Sequence, residues 1–542
     1  MLAHDIKPII VIDGSFEEGK KSTLWKRTKE QLERALACKP TTQSNCSVMP
    51  IFAKDMFMDA IKSLNIEIIQ TFGEADRFIA HLASRVLSCP VFSNDSDFLI
   101  FGGVEVIKID SIDIGNLSHG NGSLRCKRFK RQSFLKFFGL ESDELLPLCA
   151  AILGNDETMG KSQLSSVIDR IFAQVKKEKL KKSSCKRHQR MTAILKWVGR
   201  ERNSTIDQAL DRLLQPVPAG NQREDARKLV MSATNSYIFG GQIEDCQKNK
   251  CDCVETVWPV AGERIKQQFM KGNLYSWSLD VIRSHHFYFQ SQIEDAQSKS
   301  AISRCLPIVT QICWNLLQKT DEIPVSITAR SDGKKLTTIL VTPEQKFVLT
   351  NEDLFCQVIK FWCENSDVSQ MELAVVILFS MGKDFPNVEE TFFAKAPSEV
   401  SLGKRNYYDE KTIYSLSNFQ AILYFTKVLN KLENDDYTDF FPMKQWSGLQ
   451  MHTVIQRFSN VSFLLKELNN ENEEAEFVRL FQQFVSLTSS RLNSTELPKK
   501  KGSKKQNRKS NLECKEDFQR ESSGKKVEDI QNRFGLLSLD IA

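Results

Sequence analysis

The sequence predicts an α/β protein in which a parallel sheet occupies the first 160 residues and a mostly α-helical domain follows. Three observations predict this class. In the first 160 residues, short apolar β-rich segments alternate with amphipathic helical segments, as in a sheet of parallel strands joined by helices. Beyond residue 191 the apolar residues recur mainly at helical spacing. Hydrophobic residues make up 41% and charged residues 26% of the chain, which is typical of a folded globular protein.

In the first region, 1–160, the sequence predicts three strands with helices between and after them. Each predicted strand is a short apolar run that ends in a turn or an acidic residue. The predicted elements, in chain order, are a strand at 6–14, a helix at 21–37, strands at 64–72 and 89–95 separated by a helix at 74–87, and two short helices over 134–156.

The rest of the chain divides by composition. Residues 161–190 form a basic linker, and residues 191–492 form the helical domain, with a hairpin-like insertion at 324–342 around Asp332 and Gly333. Residues 493–542 are rich in Lys, Ser, Asn and Glu and cannot bury enough apolar surface to fold, so we expect a disordered tail.

The net charge of +6 is concentrated in two segments. Segment 176–190 has eight basic residues and one acid, segment 499–509 has seven basic residues and no acid, and the remainder carries a net charge of −8. Dense cationic segments on an acidic body favour contact with nucleic-acid phosphates. Solvated linkers or nuclear import signals have the same composition, and that alternative stays open.

The apolar runs and the cysteines indicate where in the cell the protein resides. The longest apolar runs are far shorter than the roughly 20 residues of a membrane span, and the N-terminus has no signal-peptide pattern. We therefore expect no membrane association. The 14 cysteines are scattered, many in apolar stretches, which is typical of free thiols in a reducing nucleus or cytoplasm.

Acidic residues follow the predicted strands where each strand ends. Because ligands of open parallel sheets gather at the carboxyl ends of the strands, we expect these carboxylates to meet at one edge. Residues two apart in an extended segment point the same way, so the pair after the third strand can share a site. The candidate catalytic and metal-binding residues are Asp13, Glu74, Asp76, Asp95, Asp97 and Asp156.

Carboxylates gathered in this way need a counter-charge, because like charges raise one another's pKa. A hard divalent cation supplies it, and an all-oxygen site favours Mg²⁺ or Mn²⁺ over zinc. Two such ions, about 3.5–4 Å apart, are a standard arrangement for phosphodiester cleavage. Each acidic pair taken alone is also compatible with an ordinary turn or helix cap.

Basic residues accompany the acids. The first predicted helix brings several cations after Asp13, which suit a phosphate, although an amphipathic helix has the same pattern. The basic linker adds a second group. The candidate nucleic-acid-binding residues are Lys20, Lys21, Lys26, Arg27, Lys181, Lys182, Lys186 and Arg187.

These motifs together resemble a known family. VIDG followed by a basic helix, then GEADRFIA, SNDSDFLIF and ILGND, resembles the internal nuclease block of the XPG/flap-endonuclease family. LLPLCAAILGND, KRHQRMTAILKWV and the closing NRFGLLSLD are similar to the asteroid group of that family. The resemblance implies a PIN-like fold and metal-dependent, structure-specific cleavage of single-stranded, flap or overhang DNA in nuclear DNA repair.

The resemblance also assigns roles. It implies metal-ligand positions for the six acids and phosphate contacts for Lys20 and Arg27. The sequence departs from the family in three ways. The opening Met-Gly-Ile-x-Gly-Leu block, with its strand and first metal-binding aspartate, is not found, so activity of this chain alone stays open. Asp76 stands where flap endonucleases have Glu, and the glycine-rich helix-hairpin-helix expected after Asp156 is replaced by ETMGKSQLSSVIDRIF.

Two other functions stay open. A non-catalytic scaffold with a degenerate nuclease fold would act in repair or in receptor tyrosine kinase (EGF receptor) signalling, as the developmental associations of the family name suggest. An RNA-directed nuclease would share the chemistry, since no residue here identifies a 2′-hydroxyl reader. By composition, the terminal apolar residues Phe534, Leu536, Leu537 and Leu539 suit either a frayed terminus or a docking motif, and the family resemblance favours docking on a repair-protein partner.

Overall fold

The computed structural model describes residues 6–16, 20–37, 48–113, 125–140, 143–154, 169, 171, 186–201, 204–238, 262–288, 292–317, 324–331, 335–341, 347–349, 353–382, 385–388, 409–434, 448–458 and 460–492. The predicted linker at 161–190 lies mostly outside these residues, and the predicted tail at 493–542 lies wholly outside them.

The strands in the described part of the chain form three small sheets. β1 pairs with β2 in parallel, β3 with β4 in parallel and β4 with β5 antiparallel, while β7 lies between a parallel β6 and an antiparallel β8. The strands are β1 (Ile9–Ile12), β2 (Glu67–Gln70), β3 (Val91–Phe92), β4 (Val106–Ile107), β5 (Arg128–Phe129), β6 (His286–Phe287), β7 (Val325–Arg330) and β8 (Leu336–Val341).

Helices make up most of the described backbone, and none of those described is long and apolar enough to span a membrane. A π-helical turn at Leu82–Leu87 extends α3, and 3₁₀ turns occupy Asp97–Leu99 and Ile109–Ser111. The α-helices are α1 (Lys21–Ala37), α2 (Ala53–Ser63), α3 (Ala75–His81), α4 (Arg131–Phe138), α5 (Leu146–Leu153), α6 (Lys186–Arg200), α7 (Ile206–Leu214), α8 (Asn221–Asn235), α9 (Ser276–Ser284), α10 (Ala301–Arg304), α11 (Leu306–Leu317), α12 (Leu354–Asn365), α13 (Gln370–Met381), α14 (Pro386–Val388), α15 (Glu410–Glu433), α16 (Gly448–Arg457), α17 (Val461–Leu465) and α18 (Glu471–Leu492).

The predicted mixed α/β class is confirmed. The helix predicted at 21–37 is α1, and the predicted hairpin strands are β7 and β8, paired from Val325 with Val341 to Arg330 with Leu336. The turn between them, 332–334, lies outside the described residues. The single PIN-like sheet stays a prediction, because the described strands form three separate sheets.

The chain folds into two compact units that do not follow chain order. Unit 1 contains the described residues within 1–16, 21–73 and 252–503, and unit 2 contains those within 17–20 and 74–251. The predicted boundaries at 160 and 191 instead run in chain order. The chain thus enters unit 2 briefly before α1 and again after β2, so β1 and β2 belong with the helical residues of unit 1.

Unit 1 is built around α15, which is buried along most of its length. A helix that is buried on all sides belongs at the centre of a core, and α11, α12 and α13 pack around α15. Trp362 of α12 is fully buried and its ring packs against Phe419 of α15 with centroids 4.9 Å apart. The same core holds Leu32 of α1, so the helix that follows β1 is anchored to the helical body.

Unit 2 is built around α5, which is almost wholly buried and apolar. α5 packs against α6 and α8, with Leu148, Leu195 and Val230 fully buried. Val91 of β3 belongs to the same core. This packing fixes the position of β3 and of the turn that follows it.

Candidate functional site

Asp13 lies where the sequence predicts it, directly after β1 in unit 1, and it is exposed. The backbone beyond β1 stays paired with the backbone beyond β2, because Gly14 N–H donates to Gly73 O at 2.8 Å and Ser15 N–H to Phe72 O at 3.0 Å. A Cβ on Gly14 would lie 2.1 Å from Thr71 O. Only glycine therefore allows this close approach.

Helix α9 holds the same loop from the other side. The Phe16 N–H donates to Asp280 Oδ1 at 3.2 Å, and the Arg283 guanidinium donates to the Ser15 hydroxyl. Burial raises the pKa of Asp280 to about 7, against the opposing effects of the Phe16 hydrogen bond and the Arg283 charge. Asp280 and Arg283 thus brace the segment that follows Asp13, and the sequence offered no signal for them because they lie more than 260 residues away.

Glu74 and Asp76 lie at the start of α3 in unit 2. Glu74 is the N-cap residue, in extended conformation, and Asp76 is in the first turn. Acidic side chains are stabilised at this end because the helix dipole is positive there. Lys20 Nζ lies 2.6 Å from both Glu74 carboxylate oxygens. The lysine predicted to bind phosphate is therefore paired with an acid predicted to bind metal.

Asp95 and Asp97 follow β3 in unit 2, but the segment is a turn and not the extended chain assumed from the sequence. Ser93 Oγ accepts from Asp95 N–H at 3.0 Å, and Asp95 Oδ1 accepts from Asp97 N–H at 3.1 Å. Ser96 has helical dihedrals, and Asp97 begins the 3₁₀ turn. Side chains of Asp and Ser stabilise turns by such local bonds, which compete with the extended conformation.

Tyr237 orients Asp97. The Tyr237 hydroxyl donates to Asp97 Oδ2 at 3.0 Å, across 140 residues of sequence, while its ring packs on Phe101 with centroids 5.5 Å apart. Tyr237 is only 5% exposed, so its hydroxyl is held in place by packing. No local motif marks this residue, because a tyrosine just after a helix, as here after α8, is also an ordinary core residue.

Some of the remaining predicted residues lie within the described part of the chain and others lie outside it. Lys21, Lys26 and Arg27 are exposed on α1 in unit 1, and Lys26 lies 3.9 Å from Glu30. Asp156, Lys181 and Lys182 lie outside the described residues. Lys186 and Arg187 begin α6, but their side chains lie outside the described part of the chain.

The donor set fits a hard cation in chemistry, since every predicted ligand is a carboxylate. Within the described residues, no group of three or more His, Cys, Asp or Glu side chains is arranged so that it could hold a metal ion. Lys20 occupies both oxygens of Glu74, and Tyr237 and the turn backbone engage Asp97 and Asp95.

Comparison with known proteins gives one domain match and several relatives. Residues 52–256 match the family described as XPG domain containing. The human protein named single-strand DNA endonuclease ASTE1 is 28% identical over 330 residues, which are 58% of this chain and 46% of the human protein. Mouse ASTE1 is 26% identical over 321 residues, again 58% of this chain and 46% of the relative.

A fly protein extends the comparison. The Drosophila melanogaster protein named Protein asteroid is 26% identical over 291 residues, which are 45% of this chain and 32% of the fly protein. The chain spans about half the length of the ASTE1 relatives it matches. The domain match and these relatives agree with the motifs around Glu74 and Asp97 and support the predicted resemblance to the asteroid homologues of the XPG nuclease family.

Proposed function

We propose that this chain is a metal-dependent endonuclease that cuts single-stranded DNA, including the single-stranded parts of flaps and overhangs, in nuclear DNA repair. The observation that carries the proposal is the placement of Glu74, Asp76, Asp95 and Asp97 in one compact unit, at the start of α3 and directly after β3. The XPG domain match and the similarity to proteins named single-strand DNA endonuclease support it.

The acids of unit 2 would hold Mg²⁺ or Mn²⁺, in the proposal two ions, through Glu74, Asp76, Asp95 and Asp97, with Asp156 as a further ligand. The ligand role implied for Asp13, which belongs to unit 1, stays a prediction. The chemistry that such ions supply when bound is activation of the attacking water and stabilisation of charge on the phosphate oxygens.

The chain's own residues prepare the site. Tyr237 fixes the rotamer of Asp97 through its hydroxyl, so one carboxylate oxygen has a constant position. Lys20 neutralises Glu74. A metal ion held by that carboxylate would compete with Lys20 for it, and the Lys20 ammonium would then suit a DNA phosphate, which is compatible with the two roles predicted for these residues.

The test is cleavage of labelled single-stranded, flap and duplex DNA with Mg²⁺, with Mn²⁺ and with chelator. We expect metal-dependent cutting of the first two substrates and its loss in Asp97→Asn. The matched control is Asp207→Asn, the same change at an exposed acid on α7 of the same unit. Cleavage by Asp97→Asn at the rate of the unchanged protein would contradict the assignment.

Metal binding is measured separately from activity, by titration with Mn²⁺ and detection of the free ion by electron paramagnetic resonance. We expect Asp97→Asn to bind fewer or weaker ions than the Asp207→Asn control. Equal binding by both variants would remove Asp97 from the ligand set even if cleavage were lost.

A non-catalytic scaffold in repair or EGF receptor signalling is the second candidate. The observation in its favour is that the described residues contain no group of three or more side chains arranged to hold a metal. It predicts that the folded protein binds DNA or protein partners without cutting at any metal concentration. Cleavage that depends on Asp97 would exclude it.

A further inference from the structure

Helix α1 exposes a tryptophan where its apolar face leaves the core. The buried residues of α1 are Thr28, Leu32 and Ala35. Trp25 precedes Leu32 by two helical turns and therefore lies on the same face. Its side chain is nonetheless 40% exposed, whereas Leu32 is 1% exposed. The apolar face thus continues past the edge of the core and ends in a large aromatic ring that solvent reaches.

Cations surround this ring. Lys21 and Lys29 lie one turn before and one turn after Trp25, within reach on the same side of the helix, and both are exposed. Lys26 and Arg27 follow directly, and the first turn of α1 contains no acidic residue. The positive end of the helix dipole adds to this field. The charge of this part of α1 is therefore complementary to an anionic polymer.

A second set of aromatic rings adjoins Lys21 within unit 1. His286 and Tyr288 stack with ring centroids 4.2 Å apart, and Phe16 meets Tyr288 edge-on at 5.3 Å. Burial lowers the pKa of His286, and the charge of Lys21 lowers it further, so the imidazole is a neutral ring at pH 7. Phe16 follows Asp13 by three residues, which connects these rings to the loop after β1.

We propose that the aromatic–basic patch, defined as Phe16, Lys21, Trp25 and His286, binds an unpaired base of single-stranded DNA. Trp25 stacks on the base and Lys21 contacts the neighbouring phosphate. An aromatic ring can stack with any of the bases, and the flanking cations can contact phosphates of the DNA backbone. Such a surface therefore binds single strands without a preference for sequence. The inference rests on the proposed function for its substrate, but it concerns binding and not cleavage.

The experiment measures the affinity of the full chain for a fluorescein-labelled single-stranded oligonucleotide by anisotropy, in chelator, so that cleavage plays no part. We expect Trp25→Ala to weaken binding by about tenfold and Trp25→Phe to keep most of the affinity. Lys21→Gln should reduce the slope of log affinity against log salt by about 0.7, as for one phosphate contact.

The matched control is Phe463→Ala. Phe463 is also an exposed aromatic ring of unit 1, at 51%, with Lys466 Nζ lying 5.2 Å from its centroid. We expect its removal to leave the affinity unchanged. Equal effects of Trp25→Ala and Phe463→Ala would show a general loss of surface contacts and would overturn the proposal. Thermal unfolding of each variant checks that the fold is kept.

An oligonucleotide with abasic sites isolates stacking from charge. We expect Trp25→Ala to bind the abasic strand as the unchanged protein does, because no base remains to stack. A tenfold loss on both strands, or no loss on either, overturns the stacking role. Failure of the proposed function gives a different result, namely no metal-dependent cutting by a protein that still loses affinity through Trp25→Ala.

Discussion

Asp280 is a partly buried acid from which we expect a marked pH dependence of stability. Its pKa is raised by burial from the ordinary 3.8 to about 7, although the hydrogen bond from Phe16 and the charge of Arg283 lower it. In the unfolded chain the carboxyl group releases its proton near pH 4. The folded protein therefore binds a proton here that the unfolded chain has already lost between about pH 4 and pH 7.

The sign and size follow from linkage. Because the folded pKa is the higher one, the stabilising contribution is complete below the unfolded pKa and is lost as the pH rises to the folded pKa. The interval from 3.8 to about 7, at about 1.36 kcal/mol per pH unit, corresponds to roughly 4 kcal/mol of unfolding free energy. The unfolding free energy therefore decreases between about pH 4 and pH 7, and titration of Asp280 causes no further decrease above pH 7.

The assay is urea unfolding of the wild type and Asp280→Asn across this pH range. The amide oxygen of Asn still accepts the Phe16 hydrogen bond but carries no charge. We therefore expect the unfolding free energy of Asp280→Asn, relative to that of the wild type, to increase with pH by up to roughly 4 kcal/mol. Asp59→Asn, at an exposed acid on α2 of the same unit, is the control and should follow the wild type. Parallel profiles for the wild type and Asp280→Asn would show that the pKa of Asp280 is not raised by folding.

Two further substitutions test how the candidate site is held. Tyr237→Phe removes the hydrogen bond to Asp97 while keeping the ring, and a bond to a carboxylate contributes about 1.5 kcal/mol, so we expect single-turnover cleavage to fall about tenfold. An unchanged rate would show that Asp97 needs no such support. Gly14→Ala places a Cβ 2.1 Å from Thr71 O and should lower the unfolding free energy by about 2 kcal/mol in urea titrations. Gly73→Ala, where a Cβ meets nothing within 4 Å, is its control, and equal losses for both would contradict the steric argument.

Much of the fold could be predicted because its signals are local. The periodicity of α1 and the two strands around Asp332 lie within short stretches of chain, and the structure contains both elements. The same holds for Asp13, Glu74 and Asp97, which lie at the ends or beginnings of their elements as expected. The extended conformation predicted for the segment after β3 was wrong. Hydrogen bonds between side chains and the backbone stabilise a turn there instead.

The assembly of the units could not be predicted, because it depends on which apolar faces find one another. The segment with β1 and β2 packs with residues beyond 252, since Leu32 and Phe72 contact the large helical core. A domain boundary predicted at residue 160 from sequence order alone contains no information about which distant segments pack together. Burial of α15 on all sides requires several partner helices, and apolar composition alone does not say which ones they are.

Residue types and local patterns were enough to locate the acids that follow apolar segments, the two concentrations of positive charge and the motifs that carry the family resemblance. What each of these groups contacts could be learned only from the folded chain. Lys20 pairs with Glu74, Tyr237 orients Asp97, and Asp280 holds Phe16 from 264 residues away. The physical reason is that residue type and local spacing set the intrinsic properties of a side chain, whereas its partners, its burial and hence its pKa come from long-range packing.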